Sequence, residues 1–244
     1  MLRAYATMTG TRRNLAALRD AGWGVLLNPY VQRDTKGMPY MLDNGAWTMF
    51  QIDLARAAGK LPTDAPDRRY PEEVGLEEAF ELQFTRLCDR FGSGADYIVV
   101  PDIVASPHSL ARSLGWLEPL AVYGVPLLIP VQNGMMVEHL QPHIGVRRLW
   151  RHTVPVGLFV GGDTEWKLAT MQQWCCLARE AGVPCHVGRV NTQQRIRMCL
   201  EAGATSFDGT AASRYESVLK DLDMARRGFV WKTRGKDKGQ LSLF

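Results

Sequence analysis

Short apolar runs alternate with segments of helical periodicity over most of the chain. The apolar runs lie at 24–28, 40–43, 96–101, 126–131, 156–160, 185–187 and 205–207. The helical patterns lie at 14–21, 76–91, 107–122, 135–142, 164–181, 192–202 and 213–227. Repeated strand-then-helix units require a parallel sheet with right-handed crossovers. We therefore predict an α/β fold, a (β/α)8 TIM-type barrel with irregular strands allowed, and keep a doubly wound open sheet as the alternative.

The chain of 244 residues fits one large barrel domain, which we place at 1–229. The segment 230–244 is mostly polar and basic, which predicts a disordered tail. Residues 51–71 contain three prolines and predict an irregular segment, either a flap over a site or a surface insertion. No apolar run is long enough to cross a bilayer, and the N-terminus lacks a signal-peptide core. We therefore expect a soluble, cytoplasmic protein.

Charge and cysteine usage narrow the class of partner. The formal net charge is +4, and basic residues crowd the C-terminal end: Arg226, Arg227, Lys232, Arg234, Lys236 and Lys238. Such a cluster favours a polyanion such as nucleic acid, or serves only as a solubilising tail. The 5 cysteines are not spaced as a disulfide framework, which indicates reduced thiols. Cys175, Cys176, Cys185 and His186 match no common zinc spacing, so we expect buried free thiols and no metal site.

A polar residue or a glycine pair follows most of the predicted strands. The residues at these strand ends are Asp43, Asp102, Gln132, Gly162 and Asp208. In a barrel the C-terminal strand ends form the catalytic face, so these residues are expected to converge on one mouth. An Asp-Asn-Gly run is also common in ordinary turns. The series of strand-end motifs, more than any one of them, predicts an active site.

Five of these motifs resemble, in order, those of the tRNA-guanine transglycosylase family, also called queuine tRNA-ribosyltransferase. Residues 43–46 resemble the family's Asp-Ser-Gly-Gly, 100–102 its base-reading aspartate, 130–134 its Val-Gln-Gly-Gly and 160–162 its Gly-Gly-Leu. Residues 186–208 resemble its final strand-helix-strand, which ends in Phe-Asp, and Arg214 stands where the family carries the Arg of Pro-Thr-Arg. The resemblance covers residues 40 to 214.

The chain also departs from the tRNA enzymes. No cysteine or histidine follows Asp208, where the family carries its zinc site, Asn44 replaces Ser, and Ala212-Ser213 replaces Pro-Thr. This pattern resembles the small DNA-guanine transglycosylases, which place 7-deazaguanine bases in DNA. The resemblance implies no metal or other cofactor. It implies a free 7-deazaguanine base as co-substrate, for which we expect the 7-cyano form.

Base exchange with retained configuration needs a nucleophile on one face of the sugar and an acid/base near the leaving base. Two carboxylates perform these tasks in retaining glycosidases. By the resemblance, Asp208 attacks the anomeric carbon of deoxyribose and expels guanine. Asp43 moves the proton to and from the purine.

Base recognition is assigned to a second group of residues. A carboxylate such as Asp102 accepts from the purine N1–H and 2-amino group together, a pattern that adenine cannot offer. Gln132 and the backbone N–H of Gly162 are expected to donate to O6. The predicted base site is completed by Gly161, Asn44, Val187 and Gly188. Trp47 or Val187 is expected to stack on the base, with a core role as the alternative for Trp47.

A base in duplex DNA must be flipped out, or met in a single strand, before its anomeric carbon can be reached. Arg189, Arg195 and Arg214 are candidates for phosphate contacts, with surface salt bridging as the alternative. The chain ends in Gln240-Leu241-Ser242-Leu243-Phe244, which resembles the bacterial sliding-clamp-binding pentapeptide. Gln240, Leu241, Leu243 and Phe244 are its predicted clamp contacts, and docking back onto the barrel is the alternative.

Three alternative functions stay open from the sequence. The first keeps the chemistry and acts on tRNA. The second is a hydrolytic glycosylase, in which water replaces the incoming base. The third is non-enzymatic, a clamp-tethered nucleic-acid-binding module.

Overall fold

A computed structural model describes residues 2–60 and 76–229. Its centre is one sheet whose strands are β1 (Arg3–Thr7), β2 (Gly24–Leu27), β3 (Tyr40–Leu42), β4 (Ile98–Val99), β5 (Leu127–Val131), β6 (Gly145–Leu149), β7 (His152–Val160), β8 (Cys185–Val187) and β9 (Ser206–Gly209). All strands except β6 pair in parallel, β5 pairs with β7, and β9 pairs with β1. The sheet therefore closes into an eight-stranded parallel barrel, and the predicted (β/α)8 fold is confirmed.

Helices surround this barrel. They are α1 (Arg12–Asp20), α2 (Ala46–Ala57), α3 (Leu76–Phe91), α4 (Ser109–Gly115), α5 (Leu117–Leu120), α6 (Val137–Leu140), α7 (Thr164–Glu180), α8 (Gln193–Ala202), α9 (Ala211–Arg214) and α10 (Glu216–Arg226). The Asp163 side chain accepts from the Trp166 N–H at 2.9 Å and caps α7, as the sequence predicts. Gly203, at φ 79°, ends α8 in the left-handed conformation that glycine adopts without penalty.

The barrel interior is filled by side chains that point inward from alternate strand positions. Tyr5, Leu26, Met41, Tyr97, Val99 and Leu128 form a buried cluster, against which Phe159 packs. Their neighbours along the strands, such as Val25 and Leu27, pack outward against the helices. The period of two along each strand sends one residue to the interior and the next to the helix layer.

The helix predicted at 107–122 is divided into α4 and α5, and three further elements differ from the sequence prediction. β1 was not predicted, because its outward positions are Ala4 and Ala6, which give only a weak apolar signal. β6 was not predicted, because it is largely exposed and carries consecutive arginines. Residues 51–57 form part of α2 where an irregular segment was expected, and this helix begins where the Asn44 side chain accepts from the Ala46 N–H at 2.9 Å.

Two predicted features lie outside the described residues. These are the proline-containing part of the predicted irregular segment and the C-terminal tail with its pentapeptide. Within 2–60 and 76–229, none of the helices is both long and apolar enough to cross a membrane.

Candidate active site

A cavity of about 760 Å³ opens at the C-terminal ends of the barrel strands. Most of the predicted site residues line it: Asp43, Asn44, Asp102, Gln132, Gly161, Gly162, Arg189, Asp208 and Arg214. Val187, Gly188 and Arg195 are not among the described residues that line it. The described lining residues come from eight separate segments of chain, and the closed barrel brings them together because its parallel strands all end on one face. The size is typical of a small-molecule site.

Asp43 follows β3 and faces the cavity. Gly45, at φ 75°, turns the chain immediately after it, and the Gly45 N–H donates to Asp43 Oδ2 at 3.3 Å. Burial, followed by the negative charges of Asp208 and Asp102, raises the pKa of the Asp43 carboxyl to about 7. A carboxyl with this pKa is present in both protonation states at neutral pH, which suits a group that gives and later takes a proton.

Asp208 is held at both carboxylate oxygens. His186 Nε2 lies 3.0 Å from Oδ2, and the Arg189 backbone N–H donates to Oδ1 at 3.1 Å. On its other side, His186 Nδ1 lies 2.9 Å from Ser206 Oγ. These contacts are satisfied when Ser206 donates to Nδ1 and the ring proton on Nε2 is donated to Asp208. The carboxylate is thereby fixed in orientation within the cavity.

His186 is a site residue that the sequence did not reveal. Its ring is fully buried in the barrel interior and stacks on Phe159, with 5.2 Å between ring centroids and 14° between planes. The pairing of β8 with β9 would predict its position. His186 is the register partner of Ser206, which lies two positions before Asp208. Residues on one face of neighbouring strands lie side by side, so the three side chains form a row.

Asp102 is held by two side-chain amides. Asn44 Nδ2 donates to Oδ1 at 2.8 Å, and Gln132 Nε2 donates to Oδ2 at 2.6 Å. Burial raises the pKa of the Asp102 carboxyl, while the hydrogen bonds from Gln132 and Asn44 act in the opposite direction. A carboxylate oxygen accepts more than one hydrogen bond, so Asp102 keeps lone pairs for a ligand.

The geometry refines two predicted base contacts. Asn44 Nδ2 also donates to the Val100 carbonyl at 2.7 Å, so both of its amide hydrogens are used within the protein. Asn44 therefore holds Asp102 and has no donor left for a base. The Gly162 N–H donates to Gln132 Oε1 at 3.2 Å, so a purine O6 must compete with that oxygen for it.

The expected stacking of Val187 on a base is wrong. Val187 is buried in the core cluster between the strands and the helices, on the opposite face of β8 from His186. The alternation along β8 dictates this, because His186 points inward and its neighbour must point outward. Gly188 is the next residue, and the absence of a side chain there leaves space for the Phe159 ring. A Cβ at this position would lie 2.5 Å from that ring.

Arg189 and Trp47 lie together at the cavity mouth. The Arg189 guanidinium sits 4.2 Å from the centroid of the Trp47 ring and also donates to the Gly162 carbonyl. Trp47 is 44% exposed, so it is not a core residue. Arg189 has a φ of 60°, a left-handed conformation that is costly for a residue with a Cβ. Arg214 lines the cavity with an exposed side chain, while Arg195 lies on α8 and is not among the described lining residues.

Lys167, on α7, is a buried lysine that contacts the end of β8. It is 1% exposed, and its ammonium donates to the Gly188 carbonyl. Burial lowers the pKa of Lys167 to about 8, and the positive charge of Arg189 acts in the same direction. The helical pattern of 164–181 predicts that this lysine lies on a helix, but it indicates no role for it at the cavity. Its bond fixes the end of β8, immediately before the strained Arg189.

Metal-ligating side chains do not cluster in the described residues: no group of three or more His, Cys, Asp or Glu is arranged to hold a metal ion. The 5 cysteines are free thiols, and all but the half-buried Cys176 are buried.

The chain was also compared with known proteins. A scan against models of protein families found no match. A search of curated proteins found no match either. The resemblance to the guanine transglycosylases therefore rests on the motifs, and the chemistry must be inferred from the geometry of the cavity.

Proposed function

We propose that the protein is a DNA-guanine transglycosylase that exchanges guanine for a 7-deazaguanine through a covalent aspartyl-deoxyribose intermediate. One observation carries the proposal: Asp43 and Asp208 line the same cavity, and the charge of Asp208 raises the pKa of Asp43. The two carboxyls are thus neighbours, and the raised pKa of Asp43 lets it hold a proton beside Asp208. This is the division of tasks that an acid and a nucleophile require.

In the first half of the reaction, a carboxylate oxygen of Asp208 attacks C1′ of the flipped deoxyguanosine. The bond from C1′ to N9 breaks, its electron pair stays with the departing guanine, and the protonated Asp43 supplies a proton to the base. In the second half, the Asp43 carboxylate takes the N9 proton of the incoming 7-deazaguanine. N9 then attacks C1′, the ester bond breaks, and Asp208 is released. Two inversions give net retention.

The orientation of Asp102 by Asn44 and Gln132 favours binding of a purine that carries an N1–H and a 2-amino group. Gln132 and Asn44 hold both oxygens of Asp102, so its remaining lone pairs have a fixed direction. A base without those donors would cover the remaining lone pairs of Asp102 without satisfying them, which costs about 1–3 kcal/mol. Trp47, with its exposed ring at the mouth, is the candidate for stacking on the base.

DNA is favoured over tRNA as the polymer because the chain departs from the tRNA enzymes in the motif residues described above. With DNA as its substrate, we expect the enzyme in the cytoplasm. Arg189 and Arg214 are the cavity-lining cations that suit phosphate contacts. The 7-cyano form stays our expected co-substrate. No metal ion has a role in the proposed steps.

One assay tests the proposal and its rivals together. The protein is incubated with guanine-containing DNA or with tRNA, plus labelled 7-deazaguanines, and each polymer is scored for label and for abasic sites. We expect label in DNA, abolished in Asp208→Asn and unchanged in Asp53→Asn, which alters an exposed aspartate on α2. Label in tRNA alone would favour the first rival. Abasic sites without label would favour the glycosylase. If neither label nor abasic sites appear, all three enzymatic functions are rejected.

The C-terminal pentapeptide carries a separate proposal, that the enzyme is tethered to a sliding clamp and so concentrated at replicating DNA. It rests on the sequence 240–244 alone. Binding to a purified bacterial clamp is measured for the full chain and for a variant with Leu243→Ala and Phe244→Ala. We expect the variant to lose binding, and equal binding would reject the tether.

A further inference from the structure

A basic hairpin projects from the end of the barrel opposite the cavity. β6 pairs antiparallel with the first half of β7, from Gly145 with Val156 to Leu149 with His152. β7 joins β5 only from Val156 onward, so residues 152–155 extend beyond the barrel wall. At about 3.3 Å per residue, this projection is about 13 Å long. We refer to residues 145–155 as the arm.

The arm is anchored to the protein and is not a loose loop. Val154 is fully buried in the main core cluster, and Leu149 packs against that cluster. Because paired residues of antiparallel strands lie on one face, Arg147 shares the face of Val154, whereas Arg148 and Thr153 share the opposite, exposed face. The core side therefore holds the arm in place and leaves the other side open to a partner.

The charge of the arm has one sign. Arg147, Arg148 and Arg151 are all exposed. No acidic residue occurs between Glu138 and Asp163 in the sequence. Among the described carboxylates, none forms an ion pair with any of these three arginines. Arginines that the fold does not neutralise are available to an external anion.

A tryptophan stands at the tip. Trp150 is 69% exposed and occupies the first position of the two-residue turn between β6 and β7, at φ 53°. Hairpin turns with a positive φ at this position usually carry glycine, because a side chain is strained there. An exposed indole held in a strained turn, with arginines on both sides, offers a flat apolar surface next to positive charge.

We propose that the arm is a binding surface for single-stranded nucleic acid, separate from the cavity. Single strands are bound by combining arginine contacts to phosphates with aromatic rings on which bases stack. A duplex keeps its bases stacked internally, and an acidic peptide has no flat base to place on Trp150. The arm and the cavity lie at opposite ends of β7, about 26 Å apart along its 9 residues. The arm thus contacts a different part of the strand from the one whose base enters the cavity.

Fluorescence anisotropy of a labelled single-stranded oligonucleotide, titrated with the full-length protein, tests the assignment. We expect the double variant Arg148→Glu, Arg151→Glu to raise Kd at least tenfold. Its plot of log Kd against log salt should be shallower by about 1.4, because each lost phosphate contact removes about 0.7 from the slope. The matched control is Arg86→Glu, Lys220→Glu, which makes the same charge change at exposed residues of α3 and α10. It should bind more tightly than the arm variant.

The tryptophan is tested separately from the charge. We expect Trp150→Ala to raise Kd about tenfold without changing the salt slope, and Trp150→Phe to restore most of the affinity. Thermal unfolding verifies that each variant is folded. Equal affinities of the arm variant and its charge-matched control would overturn the proposal. So would tighter binding of poly-glutamate, anionic phospholipid vesicles or duplex DNA than of the single strand.

The arm does not depend on the exchange chemistry. Asp208→Asn should bind the oligonucleotide as the wild type does, although it cannot exchange a base. Conversely, the arm variants should still exchange guanine in a trinucleotide, which is too short to reach from the cavity to the arm. Failure of one proposal is therefore distinguishable from failure of the other.

Discussion

His186 Nε2 lies 3.0 Å from Asp208 Oδ2 inside the barrel, and Ser206 Oγ lies 2.9 Å from the other ring nitrogen. The ring is fully buried and stacked on Phe159, so it has no freedom to turn away. His186 is thus a positioning residue for the candidate nucleophile, and the cavity itself is lined by Asp208 and not by the histidine.

Replacing His186 should reduce the rate of exchange more than the binding of substrate. We expect His186→Ala to lower kcat about 100-fold with little change in KM, because a misplaced reacting group loses its alignment. His186→Gln, whose amide can still donate to Asp208, should recover part of the rate. Trapping of the covalent protein–DNA adduct on a denaturing gel should decline in parallel with kcat. An effect confined to KM would contradict the positioning role.

Asp43 should make stability depend on pH. Its ordinary pKa is 3.8, and the folded protein raises it to about 7. An acid with a higher pKa in the folded state holds its proton more tightly there, so its ionisation opposes folding increasingly as pH rises between these two values. We expect Asp43→Asn to exceed the wild type in free energy of unfolding by about 1–3 kcal/mol near pH 8. The difference should shrink as pH falls toward about 4.

Urea unfolding at several pH values measures this, with Asp53→Asn as the control at an exposed position. If the free energy of unfolding depends on pH in the same way for the wild type and Asp43→Asn, Asp43 has the same pKa in the folded and the unfolded chain, and the prediction is wrong.

Asn44 should influence recognition through Asp102. Asn44→Ala removes the hydrogen bonds to Asp102 Oδ1 and to the Val100 carbonyl. We expect KM for guanine-containing DNA to rise about tenfold, since one unsatisfied buried partner costs about 1–3 kcal/mol. Asn44→Asp keeps the shape but places a second negative charge beside Asp102, so its loss should be larger. Steady-state kinetics compare the two, and an unchanged KM in both variants would remove Asn44 from the recognition frame.

Two substitutions of Arg189 distinguish the effect of its left-handed backbone on stability from the effect of its guanidinium on DNA binding. Arg189→Gly and Arg189→Ala both remove the guanidinium from Trp47, but only glycine relieves the φ of 60°. We expect the glycine variant to be about 1 kcal/mol more stable than the alanine variant. Their affinities for DNA should fall equally. Thermal unfolding and anisotropy measure the two quantities, and equal stabilities would mean that the left-handed backbone is not strained.

The strand-end motifs could be read from the sequence because each follows an apolar run that only a buried parallel strand explains. Asp43, Asp102, Gln132 and Asp208 line one cavity for that reason. β1 closes the barrel between β2 and β9, but it could not be predicted because its outward-facing alanines give only a weak apolar pattern. The roles of His186 and Asn44 depend on neighbours 22 and 58 residues away, which only the strand register reveals.

The packed layer formed by Tyr5, Leu26, Met41, Tyr97, Val99 and Leu128 seals the barrel below the two carboxyls. In the proposed exchange, departing guanine therefore leaves through the same cavity mouth by which its replacement enters. In the proposed reaction both bases use the same recognition residues, so we expect ping-pong kinetics with the nucleic acid attached throughout the turnover. Released guanine should then compete with the incoming base, and the ratio of the two free bases would set how much of the strand ends up modified.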